Sequence, residues 1–105
     1  MTVSRKELLL QMLAKEPGDT FLNYALALEL EKEHKISEAI RVIEKVLEDN
    51  ADYLGAYYKL GKLYEATGER ELARKTYISG IAVARRQKNG KTLSELNEAL
   101  LLLDE

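Results

Sequence analysis

At 105 residues, with 46% hydrophobic and 32% charged residues, the chain has the balance of a folded domain and is too short for two independently stable cores. It contains no Cys, which excludes disulfides and thiolate metal sites, and its net charge of −2 steers no partner by itself. Leu, Ala, Glu and Lys dominate and β-branched runs are absent, so the composition predicts a single all-α domain spanning 1–105.

In chain order, the first element opens at Ser4-Arg5-Lys6-Glu7. This is a capping box in which the Ser4 hydroxyl accepts from the Glu7 N–H and the Glu7 carboxylate reaches back to the Ser4 N–H. The helix runs over 4–16 and stops before Pro17-Gly18, because a residue preceding Pro avoids the helical region. Its apolar stretch is flanked by charges and lacks a small-residue cleavage site, so no signal peptide is expected. Asp19 caps a second helix reaching about residue 33, and a third runs over 37–48. Asp52 caps a fourth that ends at Gly68, and a fifth spans 69–87. After the break at Asn89-Gly90, Thr92-Leu93-Ser94-Glu95 forms a second capping box that opens a sixth helix over 92–104. The connections are two to five residues long, so consecutive helices pack antiparallel. The longest apolar run, 99–103, is far below the roughly 20 residues of a membrane span, and a cytoplasmic location is expected.

A shift of 34 residues lays helices two and three over helices four and five. Tyr24 then falls on Tyr58, Leu26 on Leu60, Glu31 on Glu65 and Ala39 on Ala73. Gly61 and Ala27 are small where two helices must approach closely, and Ala39 and Ala73 answer them from the partner helix. Leu26, Leu30, Leu60 and Tyr64 form the stripe facing that partner. His34 aligns with Gly68 at a turn that calls for positive φ, at a cost of order 1 kcal/mol to a non-glycine residue. Leu93, Leu96, Leu100 and Leu103 form the stripe of a last helix acting as a lid, and Leu101 and Leu102 lie off it.

Tyr57-x-x-Leu60-Gly61-x-x-Tyr64 followed by Ala73-x-x-x-Tyr77 resembles the tetratricopeptide-repeat signature, with Tyr standing for its Trp and Phe. A weaker copy precedes it, Asn23-x-x-Leu26-Ala27-x-x-Leu30 followed by Ala39-x-x-x-Ile43. The resemblance, which extends to small stand-alone bacterial members of the family, implies a solenoid of antiparallel helix pairs. Its parts are a half-repeat helix (4–16), one repeat (19–50), a second (53–87) and a C-terminal capping helix (92–104). It also implies a protein–protein interaction module whose first helices line a concave face that holds a peptide or partner protein. The matching positions are Phe21, Tyr24, Leu28 and Glu31 in one repeat, with Tyr58, Lys59, Lys62 and Glu65 in the other. The Lys/Asn carboxylate clamp of chaperone-serving members is not matched, since only Lys59 of its positions survives.

The remaining candidate roles are self-association, nucleic-acid binding and catalysis. Leu101 and Leu102 are a candidate self-association surface for a homodimer. Residues 70–91 carry Arg70, Arg74, Lys75, Arg85, Arg86, Lys88 and Lys91 against Glu71, a candidate nucleic-acid surface. Cations near a helix C-terminus also complement its dipole, and the acidic remainder opposes phosphate. Catalysis is not expected: His34 is the single His, the hydroxyls sit at helix starts or singly, and the glycines form no phosphate-cradling loop. No cofactor and no metal are implied.

Overall fold

The computed structural model describes residues 2–105 and contains six α-helices over that span. They fall into two compact units, one within residues 1–50 and one within 51–105.

The first unit holds α1 (Arg5–Lys15), α2 (Thr20–Lys32) and α3 (Ile36–Asp49). Leu9 and Leu13 of α1 pack with Leu22 and Ala25 of α2, four residues apart in one helix and three in the other, so each pair shares a face. Leu26 is half-buried against this cluster rather than fully buried. On α3, Ala39, Ile40, Ile43 and Val46 are buried and Leu47 is half-buried.

The second unit holds α4 (Gly55–Ala66), α5 (Arg70–Arg86) and α6 (Gly90–Leu103). α5 packs against both neighbours, and α4 and α6 also touch. The closest approach is at Gly61, where a Cβ would lie 2.1 Å from the ring of the fully buried Tyr77. A second occurs at Gly80, whose Cβ would lie 2.6 Å from Tyr57 Cβ and 3.0 Å from a Leu96 methyl. Gly80, which the sequence leaves as an isolated glycine, is therefore a packing position of α5. On α6 only Leu96 and Ala99 are buried, whereas Leu93, Leu100 and Leu103 are half-buried, so the buried stripe is narrower than the leucine spacing suggested.

Helix ends follow the sequence in part. Ser4 accepts from the Glu7 N–H at 3.1 Å and Asp19 from the Leu22 N–H at 2.8 Å, as capping residues do. The Glu7 carboxylate, however, accepts from the Ser4 hydroxyl at 3.3 Å and does not return to the backbone. Asp52 lies three residues before the start of α4 and pairs with Arg86. The Thr92 box is displaced. Asn89 accepts from the Thr92 N–H at 3.0 Å, so α6 starts at Gly90 and Thr92 belongs to its first turn. The Asn89 side chain thus satisfies the Thr92 N–H, one of the donors that the first turn leaves without an intrahelical partner.

Three helices end in the same way. The N–H groups of Lys35, Glu69 and Asn89 donate to the carbonyls of Leu30, Tyr64 and Ala84, each five residues back, at 2.9, 2.8 and 2.9 Å. In each case the intervening residue has positive φ: His34 at 62°, Gly68 at 77° and Lys88 at 57°. These are Schellman ends.

Candidate functional site

In the second unit α4 presents Tyr58 outward because its neighbours Tyr57, Leu60 and Gly61 are turned to the core. Tyr58 is 38% exposed, and one edge of its ring lies against Tyr77 at 6.4 Å between centroids. One turn on, the Lys62 ammonium stands 5.5 Å from the centre of the Tyr58 ring, a cation–π arrangement. The same ammonium lies 3.7 Å from the Glu65 carboxylate, which also accepts from the Tyr77 hydroxyl. Burial, with Glu65 adding to it, pushes the Tyr77 phenol well above its ordinary value, so the hydroxyl keeps its proton and anchors Glu65. Tyr58, Lys62 and Glu65 are thereby held in one row over a fixed base.

Across α5, the exposed side of α6 reaches the same edge. A cleft of about 270 Å³ is lined by Tyr58 and Lys62 from α4 and by Glu95, Glu98, Ala99 and Leu102 from α6. The sequence marks Glu95 only as part of a capping box and Glu98 not at all. The signal that could have found them is their i, i+3 spacing on the side of α6 away from its buried Leu96. Lys59 is half-buried on α4 and, like Glu65, is not part of the cleft wall.

In the first unit Phe21, Tyr24, Leu28 and Glu31 follow one another at spacings of three, four and three along α2 and so share a face. Phe21 is 64% exposed and the other three are half-buried. Leu101 and Leu102 are 66% and 52% exposed on α6, as their position off the leucine stripe requires. In the basic stretch, Arg74 is held by Glu71 at 3.1 Å and by Asp104, and Arg86 by Asp52. Two of its seven cations therefore already face carboxylates. Among the described residues no cluster of three or more His, Asp or Glu forms a metal-ligand set, and no helix is long and apolar enough to cross a membrane.

Helix pairs joined by short turns, repeating at 34 residues with a small residue opposite a large one, define an all-α helical-repeat protein. The chain belongs to the tetratricopeptide-repeat family, whose profile matches residues 30–96, more than half its length. A tetratricopeptide repeat domain protein from Salinibacter ruber is 45% identical, over 83% of this chain and 88% of that one, with a TM-score of 0.79. A protein from Bordetella parapertussis is 25% identical over 98% and 90% of the two chains, with a TM-score of 0.85. The TPR2B domain of yeast Sti1, in its complex with pHsp70, is 20% identical over 94% and 79%, and its TM-score of 0.86 is a likeness of fold alone. A comparison with curated proteins gives no match.

Proposed function

We propose that the protein is a non-catalytic interaction module that holds a peptide or partner protein on the exposed faces of its first helices. The observation that carries this reading is the cleft of the second unit, where an exposed tyrosine over a fixed base is bordered by one cation and two carboxylates. An aromatic ring held rigid loses little entropy when a partner packs on it, which is why such rings dominate binding energy at protein interfaces. Glu95 and Glu98 outnumber Lys62 on the wall, so the favoured partner pairs an apolar side chain on Tyr58 with a Lys or Arg beside these carboxylates. Lys59 and Glu65 extend the α4 face, and the α2 face with Phe21, Tyr24, Leu28 and Glu31 is a second, separate contact surface. The yeast Sti1 domain, a neighbour in fold, is found with a protein-derived partner, which supports the class of ligand and no particular one.

The test is selection from a displayed peptide library, followed by titration of the winning peptide into isotope-labelled protein. The expected winners carry an aliphatic or aromatic residue next to a cation, shift the Tyr58 and Glu98 resonances, and lose about tenfold or more in affinity to Tyr58→Ala. A further loss is expected when Tyr24→Ala is added. Circular dichroism verifies that both variants remain helical. Peptides that bind wild type and the folded Tyr58→Ala variant equally well would sink the assignment.

A further inference from the structure

The first unit carries a groove of its own, of about 520 Å³, on a different side of α2 from Phe21 and Tyr24. Its apolar lining is Leu10 of α1, Leu26 and Leu30 of α2 and Val42 of α3, and Leu10 remains 46% exposed there. Around these lie four cations, Lys6, Lys35, Arg41 and Lys45, and one acid, Glu38. Lys6 and Lys35 share a single carboxylate, Glu33, at 3.0 and 3.3 Å, and Lys45 pairs with Asp49 at 3.2 Å. Four cations thus stand against three carboxylates, Glu33, Glu38 and Asp49, and Arg41, which no ion pair holds among the described residues, leaves the rim net positive.

The opposite chemistry is exposed on α6. Leu101 and Leu102 project from it with Glu98 one turn before them, on the same side, and Glu105 follows two residues past the end of the helix. Two adjacent exposed leucines bracketed by carboxylates complement an apolar groove with a basic rim in both hydrophobicity and sign. We propose that the groove is the docking site for the last helix of a second copy of the chain. Leu101 and Leu102 seat on Leu10, Leu26, Leu30 and Val42, while Glu98 and Glu105 face Arg41 and Lys35. Because the two surfaces differ, the contact is heterologous, and each copy offers one groove and one helix. Glu98 and Leu102 also wall the cleft beside Tyr58, so the two contacts compete there, whereas Leu101 and Arg41 lie outside the cleft wall and their variants test the docking apart from the peptide reading.

Sedimentation velocity over a concentration series, at low and high salt, tests it. Wild type is expected to associate reversibly, more weakly as salt is raised. Leu101→Asp and Arg41→Glu are each expected to weaken association about tenfold or more while circular dichroism shows the helices intact. An equal mixture of the two variants is expected to recover association, because one retains an intact groove and the other an intact α6. Arg41→Gln, a milder change than charge reversal, is expected to fall between wild type and Arg41→Glu. A monomer at every concentration overturns the proposal, as does association that responds to Leu101→Asp but not to Arg41→Glu. A mixture that stays as weak as its components overturns it equally, and so does a monomer whose groove takes up an acidic, leucine-bearing peptide.

Discussion

At the scale of single residues, the two repeats solve one packing problem with different volumes. Ala27 aligns with Gly61 and Ile43 with Tyr77, and all four are buried. Where the large partner grows from Ile to Tyr, the small one sheds its methyl, because a Cβ at position 61 would sit inside the Tyr77 ring. Gly61→Ala is therefore expected to destabilise the protein by about 1–3 kcal/mol despite the better helix propensity of Ala. In a Tyr77→Ile background the same substitution should cost much less, and a double-mutant cycle by urea denaturation measures the coupling. Tyr77 also sets a pH dependence. Its folded phenol holds the proton more tightly than the unfolded one, so the stabilisation is complete below the ordinary phenol value of about 10 and is lost as pH rises above it. Stability measured by denaturant at rising alkaline pH should fall in wild type and fall less steeply in Tyr77→Phe. The residual slope belongs in part to Tyr57, whose phenol is also raised by burial while it donates to the Ala51 carbonyl at 2.6 Å.

At the scale of the element, turn chemistry decided what the sequence revealed. The 34-residue register placed His34 on Gly68 and so exposed a non-glycine residue at a left-handed helix end, which the structure shows at φ 62°. Lys88 has the same conformation but no aligned glycine to betray it. The break at Asn89-Gly90 drew attention to the glycine, whereas Lys88 takes the positive φ, Asn89 caps, and Gly90 is simply the first residue of α6. His34→Gly and Lys88→Gly should each stabilise by about 0.5–1 kcal/mol, because relief of left-handed strain exceeds the added freedom of the unfolded chain. Thermal unfolding reads this as a rise in Tm for both. Asn89→Ala should cost about 1 kcal/mol and Thr92→Ala much less, the reverse of what a Thr92 capping box demands. Helix number and order were legible because periodicity and short connections are local properties. Caps were less so, since several Asp, Asn, Ser and Thr residues compete for each helix start and only the backbone path selects among them.

At the scale of the whole molecule, the sequence pointed to Tyr58, Lys62 and Leu102 of the candidate cleft but not to its Glu95 and Glu98. Tyr24 and Tyr58 stand out in sequence because a repeat places them at equivalent positions away from the core stripe. Glu95 and Glu98 lie about 40 residues beyond Tyr58, and only the packing of α6 along α5 brings them to its edge. The same dependence on packing weighs against a nucleic-acid role for residues 70–91. In sequence they form a basic run, but in the fold Arg74 faces Glu71 and Asp104 and Arg86 faces Asp52. With two of the seven cations already facing carboxylates and the rest of the chain acidic, fewer counterions are displaced from a phosphate backbone, and that displacement supplies most of the affinity of sequence-independent binding. Fluorescence anisotropy with labelled duplex DNA and single-stranded RNA should accordingly show no saturable binding at physiological salt. Asp52→Asn and Asp104→Asn together, which free Arg86 and leave Arg74 to Glu71 alone, should raise binding at low salt. Saturable wild-type binding with a steep salt slope, lost on Arg85→Glu and Lys88→Glu, would return the basic stretch to the role its composition suggests.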